Sequence, residues 1–353
     1  AITEYNIGMK TLFTSSLGAH VTTVYTVETI PLIFDHVNKS KSKVLYVCDA
    51  HTAAILPDNL LRVELLNGED AKNWDSVEHI IRVAQSHGFG RDDRFVAFGG
   101  GVVCDICAFA ASIYMRGCAL TLVPTTLLAM VDAALGGKTA IDLGNTKNLV
   151  GTFYPAEAVI LCPQTLETLS GHEYHNGLGE VLKHALLAQD DDLMGFLETN
   201  HELILARDST VLATLLEASL HVKKYYIEQD ALEQKGVRDA LNLGHTFGHA
   251  LESVGNLTLY AHGEAVAWGM RKALEVGLLL EITDPSFAKR ALALLEQYGF
   301  NQEITVTNTQ QFIAALQSDK KRRSAMLRFV IMEQQGHYRL MALDEEIILR
   351  VIS

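Results

Sequence analysis

Through the first half of the chain, short apolar runs rich in β-branched residues alternate with stretches of helical periodicity. KVLYVCD (Lys43 to Asp49) predicts a strand that ends at a polar turn, and RFVAFGGG (Arg94 to Gly101) a strand that runs into glycine. CALTLVPTT predicts a third strand, closed by Pro124. Between them, DSVEHIIRVAQSHGF carries apolar residues at helical spacing and stops near Gly88, and CDICAFAASIYMRG predicts a helix of small residues. Strands and helices alternating at this length point to a parallel sheet with helices on its faces.

The pattern changes near residue 170. DLMGFLETNHELILA, STVLATLLEASLHVKKYYIEQ, GEAVAWGMRKALEVGLLLEI and PSFAKRALALLEQYG all have helical periodicity, and no convincing strand follows until RFVIME near the end. The expectation is an α/β domain over residues 1–170 and a mostly α-helical domain over 171–353. A chain of 353 residues is long enough for two such cores. No internal repeat or low-complexity segment is evident.

Composition narrows the function. With 48% hydrophobic and 20% charged residues the chain is globular, and a formal charge of −13 argues against a nucleic-acid partner held through phosphates. An acidic protein that handles an anion must concentrate positive charge locally. The five cysteines are scattered and odd in number, as in a reduced, cytoplasmic protein. Cys104 and Cys107 form a lone CxxC without a second pair or a nearby histidine, so helix packing is the simpler role. The opening AITEYNIGMKTLF lacks a signal-peptide layout, and the apolar region after Ile106 is broken by Arg116 and Pro124 too soon to cross a membrane.

Several stretches carry chemistry. FGGGVVCD follows a predicted strand and opens a helix, where backbone N–H groups can approach a pyrophosphate. Against GxGxxG, Gly99 and Gly101 fit and Cys104 replaces the third glycine. Asp49, ending the earlier strand, is placed for an adenosine ribose hydroxyl. GGKTAID ends like a phosphate loop, but its first glycine would fall on Asp132, whose carboxylate would repel a triphosphate. Lys138 and the Lys147-Asn148 pair instead offer charge and an amide to an anionic, hydroxylated ligand, or are simply solvated.

In GLGEVLKHALL, Glu180 and Lys183 share a helix face, either as a surface ion pair or with Glu180 as a buried metal ligand among Leu178, Val181 and Leu182. In LNLGHTFGHALESVGNLTLYAHGEA, His245 and His249 stand at i and i+4 on a helix starting near Leu241 or Gly244. Thr246 follows His245, so the catalytic glutamate of an HExxH zinc hydrolase is missing. His262 opens the next helix, and Glu180 could complete a metal site with an open position.

Taken in order, GGGVVCD, YMRG, VPTTLLAMVDAALGGKTAID, KN, GLGEVLKH, GVRDALNLGHTFGHALE, HGEAVAWGM and SDKK resemble the motifs of the 3-dehydroquinate synthase family, over residues 43–330. The resemblance implies a Rossmann-like NAD-binding domain, a helical metal domain and an active site in the cleft between them. It also implies a homodimer that uses NAD and a divalent metal, zinc or alternatively cobalt. The family's metal ligands fall on Glu180, His245 and His262. Substrate and catalytic positions fall on Asp132, Lys138, Lys147, Asn148, Lys183, Lys223, Glu233, Arg238, Asn242, His249 and Lys321, with Arg116 reaching a phosphate across the dimer interface. Cofactor contacts fall on Asp49, Glu69, Lys72, Gly100, Gly101, Val102, Asp105, Thr125 and Thr126, joined by Asp132, Lys138 and Lys147. The implied substrate is 3-deoxy-D-arabino-heptulosonate 7-phosphate, converted to 3-dehydroquinate by transient oxidation, phosphate elimination, reduction and aldol closure. Its two anionic groups account for a basic pocket inside an acidic protein.

The chain departs from the family pattern at Cys104, at His172 and Gly179, and in DALEQKGVR, which is one residue longer than the usual family spacing. That extra residue leaves two assignments open, Lys223 with Glu233 or Lys224 with Gln234. The rivals are sugar-phosphate cyclases that make an inosose or a valiolone, and metal-dependent polyol dehydrogenases.

Overall fold

The computed structural model describes residues 8–39, 41–144, 146–190, 192–255, 259–300, 304–323 and 327–353, without the side chains of 318–323. The chain divides into two compact units, Ala1–Tyr174 and His175–Ser353.

In the first unit the elements run β1 (Met9–Leu17), β2 (His20–Val27), α1 (Ile30–Val37), β3 (Val44–Asp49), α2 (Ala50–Ala53), β4 (Arg62–Leu65), α3 (Trp74–Ser86), β5 (Arg94–Gly99), α4 (Gly101–Ile113), β6 (Ala119–Pro124), β7 (Ile141–Leu143), β8 (Thr146–Val150) and β9 (Ala158–Leu161). Seven strands form one sheet in the order β1-β2-β9-β6-β5-β3-β4, all pairs parallel except the β1–β2 hairpin. The continuous apolar runs of β3 and β5 follow from burial on both faces, with Tyr46, Cys48, Val96 and Phe98 in one core cluster with Ile33 and Ile160. β3 continues outward to β4 while β5 continues the other way to β6, so the strand order reverses between β3 and β5. The crevice beyond the carboxyl ends of such a pair is where open α/β sheets hold ligands. Asp49 and the Gly99–Gly101 turn stand at those ends.

The second unit starts within α5 (Gly171–Leu187) and continues with α6 (Asp192–Leu205), α7 (Ser209–Gln229), α8 (His245–Val254), α9 (His262–Leu279), α10 (Pro285–Gln297), α11 (Thr309–Arg323), the β10–β11 hairpin (Phe329–Gln334, His337–Met341) and α12 (Glu345–Ile352). α7 covers the whole predicted stretch because Asp208 caps it, accepting the N–H groups of Thr210 and Val211. Of the two starts expected for the histidine helix, Gly244 is the cap, and Arg238–Asn242 forms a separate 3₁₀ turn. Among the described residues no helix is long and apolar enough to cross a membrane.

All five cysteines are buried and reduced. Cys104 and Cys107 pack inside α4, and burial raises both thiols above the ordinary range, which makes them inert core residues.

Candidate active site

In the first unit, α4 opens on Gly100 with no side chain capping its N–H groups, which leaves them facing outward from the β5 turn. Cys104 does not intrude there: its Sγ lies 3.8 Å from the carbonyl of Gly99, and the residue is 1% exposed. Val102, Thr125 and Thr126 flank the turn, and Thr125 donates its N–H to the Gly99 carbonyl at 2.9 Å. Asp49 already has work as a cap. Its Oδ1 accepts from the N–H of Thr52 at 2.9 Å and from the Thr52 hydroxyl at 2.8 Å.

Lys72 is buried and its ammonium meets Asp105 at 2.6 Å. Burial raises the Asp105 pKa and outweighs the attraction of Lys72. Lys147 lies 3.6 Å from Glu69. Lys138 and Asn148 are exposed, and Asn148 has a φ of 54°. Asp105 and Lys138 line one small cavity with Cys104, Gly136, Gly137 and Tyr154. Asp132 sits in the wide helical turn Ala129–Ala133. Arg116 is exposed in a tight turn where Met115 and Arg116 both have positive φ, 49° and 67°.

In the second unit, Glu180 is fully buried on α5. Its carboxylate pairs with Lys183, and neither oxygen makes a hydrogen bond of ordinary geometry. Oε1 lies 3.4 Å from His245 Nε2 and 3.5 Å from His262 Nε2. One atom from each of Glu180, His245 and His262 falls within 4.8 Å of the others, close enough to share an ion. Burial works to raise the Glu180 pKa, yet Lys183, His245 and His262 together hold it well below the usual carboxylate range. Burial and the neighbouring Lys183 lower the His245 pKa, favouring the neutral imidazole that binds metal.

Close backbone contact sets this geometry. Asn176 Oδ1 accepts the Gly263 N–H at 2.5 Å, and a Cβ on Gly263 would stand 1.9 Å from the Asn176 carbonyl oxygen. Gly179, one residue before Glu180, meets the same turn: its Cβ would lie 2.5 Å from the Gly263 oxygen. Glycine at these positions lets α5 and the start of α9 approach until Glu180 faces His262.

His249 is exposed one turn beyond His245, with ring centroids 5.4 Å apart. It also groups with Glu252 and His262 as another possible donor set. The sequence reading missed Glu252, whose Oε1 lies 3.4 Å from His262 Nδ1. Its spacing from His245 and His249, seven and three residues along α8, was the available signal.

Lys223 is buried on α7, whereas Lys224 pairs with Glu228 at 3.7 Å on a more exposed face. Glu233 lies 3.3 Å from the buried Arg238, and Gln234 is tied instead through its backbone to Asp230. Asn242 ends the 3₁₀ turn just before α8. Lys321 lies in α11, and its side chain is outside the described residues.

Comparison with known proteins shows the family. Two family profiles match in succession, 3-dehydroquinate synthase N-terminal over residues 62–176 and 3-dehydroquinate synthase C-terminal over residues 177–322. A 3-dehydroquinate synthase from Acidithiobacillus ferrooxidans is 37% identical over 308 residues, 84% of each chain. A bifunctional 3-dehydroquinate synthase/phosphatase from Fusobacterium nucleatum is 35% identical over 84% of this chain, which spans 44% of that longer protein. Among solved structures, 2-deoxy-scyllo-inosose synthase complexed with carbaglucose-6-phosphate, NAD+ and Co2+ superposes with a TM-score of 0.85 at 24% identity, covering 96% of this chain and 98% of that one. That last likeness shows the fold, while the two profiles together with the 37% relative show the family: the chain belongs to the 3-dehydroquinate synthases.

Proposed function

We propose that the protein converts 3-deoxy-D-arabino-heptulosonate 7-phosphate to 3-dehydroquinate and phosphate, with NAD and one divalent metal ion as resident groups. The observation that carries the metal is Glu180, a fully buried carboxylate without ordinary hydrogen bonds that faces two imidazoles. One carboxylate and two histidines with room for substrate suit zinc, and the same donors suit cobalt. For NAD the supporting features are the uncapped start of α4 and its place where the strand order reverses. When bound, the metal supplies Lewis acidity at substrate hydroxyls and NAD accepts and returns a hydride.

The protein's own groups bind and orient. Glu180, His245 and His262 would hold the metal, and Lys183 balances the buried charge of Glu180. Lys138, Lys147, Asn148, Lys223, Arg238 and Asn242, which match the family's substrate positions, would supply contacts for the carboxylate, phosphate and hydroxyls of a sugar phosphate. His249, outside the favoured ligand set, would exchange a proton with substrate through an imidazole nitrogen. Arg116 would serve the phosphate of a second copy in a homodimer.

The polyol dehydrogenase reading differs in its products. Turnover with NAD and zinc should release phosphate without net absorbance at the NADH band, because the hydride is returned in each cycle. Accumulating NADH would overturn the proposal.

A further inference from the structure

Lys147 and Asn148 belong to the β7–β8 hairpin, whose ladder is irregular at one place. Ile141 pairs with Val150 and Leu143 with Thr146, so Lys147, Asn148 and Leu149 stand against Asp142 alone. A bulge of this kind leaves backbone groups outside the ladder. The Asp142 carboxylate takes one of them, its Oδ1 accepting the Asn148 N–H at 2.7 Å. Asn148 is in the left-handed region, which asparagine visits more readily than most residues but which still has to be held in place.

Asp142 is anchored in turn. Its N–H donates to the Lys72 carbonyl at 2.7 Å, and the Lys72 side chain pairs with Asp105. Three residues earlier, Glu69 lies 3.6 Å from the Lys147 ammonium. The short segment Glu69–Lys72 therefore grips the hairpin twice, through the backbone of Asp142 and through the side chain of Lys147. Ile141 anchors one end of the hairpin in the core, but beyond it Leu143 and Leu149 are 58% and 57% exposed, so apolar packing does little to fix the Lys147–Asn148 end.

We propose that Asp142 is a positioning residue that fixes the Lys147–Asn148 bulge onto the Glu69–Lys72 segment, so that the ammonium and the amide meet an anionic sugar phosphate already oriented. It acts through Asn148. The proposal rests on the reading of Lys147 and Asn148 as substrate contacts, and it ties that substrate-side pair to residues assigned to the cofactor.

The test is steady-state kinetics on the full-length enzyme loaded with NAD and zinc, comparing wild type with Asp142→Ala, Asp142→Asn and Lys147→Ala. Asp142→Ala should raise KM for the heptulosonate phosphate about five- to tenfold, the scale of one lost hydrogen bond, with kcat and the thermal midpoint little changed. Asp142→Asn keeps an Oδ1 acceptor and should restore KM to near the wild-type value. An unchanged KM in Asp142→Ala, or a parallel fall of kcat and thermal midpoint without a KM effect, would overturn the role given to Asp142. Lys147→Ala separates the two levels of the argument. If it raises KM while Asp142→Ala does not, only the positioning role fails; if it leaves KM unaltered, the assignment of the hairpin to substrate fails with it.

Discussion

Glu252 stands 3.4 Å from Nδ1 of His262, while Glu180 stands 3.5 Å from Nε2 of the same ring. The imidazole is held between two carboxylates, one suited to share a metal with it and the other to orient it. An outer carboxylate of this kind fixes the tautomer of a ligating histidine and raises its basicity.

Glu252→Ala should therefore weaken metal binding without removing a ligand. The expected loss of zinc affinity is about 10- to 100-fold, read by competition with a chromophoric chelator. Affinity equal to wild type would remove Glu252 from the site.

α8 and α9 touch at Gly269, where a Cβ would lie 1.9 Å from the backbone oxygen of Gly244. Gly244 caps the helix that begins with His245. Gly269→Ala must push the two helices apart, at a cost of about 1–3 kcal/mol by overpacking. Both denaturant stability and zinc affinity should fall, because the displaced helices carry His245 and His262, two of the three proposed ligands. Unchanged stability would show that the helices accommodate the methyl group.

Asp230 organises the segment that carries Glu233 and Arg238. The residue is 2% exposed, and its carboxylate accepts from the N–H groups of Gln234 at 2.7 Å, Lys235 at 3.0 Å and Arg238 at 3.4 Å. Burial opposes ionisation, but these backbone donors outweigh it and hold the pKa below the ordinary value. A depressed carboxyl pKa contributes stability that is complete above the unfolded value, about 3.9, and is lost as pH falls through the lower folded one. Asp230→Ala should cost about 2 kcal/mol near pH 7, the scale of hydrogen bonds to a charged group. The gap from wild type in urea unfolding should narrow as pH drops below about 4. A gap that stays constant with pH would contradict the charged role.

Physical causes separate what the sequence showed from what it hid. β3, β5 and β6 were visible because strands covered on both faces read as unbroken apolar runs, and α7 because its cap and periodicity agree. The β1–β2 hairpin was not recognised: MKTLFTSSL mixes lysine, threonine and serine with few apolar residues, as an edge strand does. The β7–β8 hairpin also passed unseen, since its short strands contain Asp142, Lys147 and Asn148 and bury little. Within the metal site, Glu180 stood out as a carboxylate among apolar neighbours. That it could complete a site with the histidines was open from the residues, but the choice of His245 and His262 over His249 came from the family resemblance, because the three groups lie on three different helices. Glu252 was overlooked because its partner His262 lies on the next helix. The glycine contacts at Gly179 and Gly263 follow only from the packing of α5 against α9.

The measurement that bears most directly on the site is zinc content in purified His245→Ala and His249→Ala, with phosphate release from the heptulosonate phosphate recorded on the same samples. His245→Ala should lose both metal and turnover. His249→Ala should retain metal at the wild-type level and lose turnover. Equal loss of metal from the two variants would contradict a centre built on Glu180, His245 and His262.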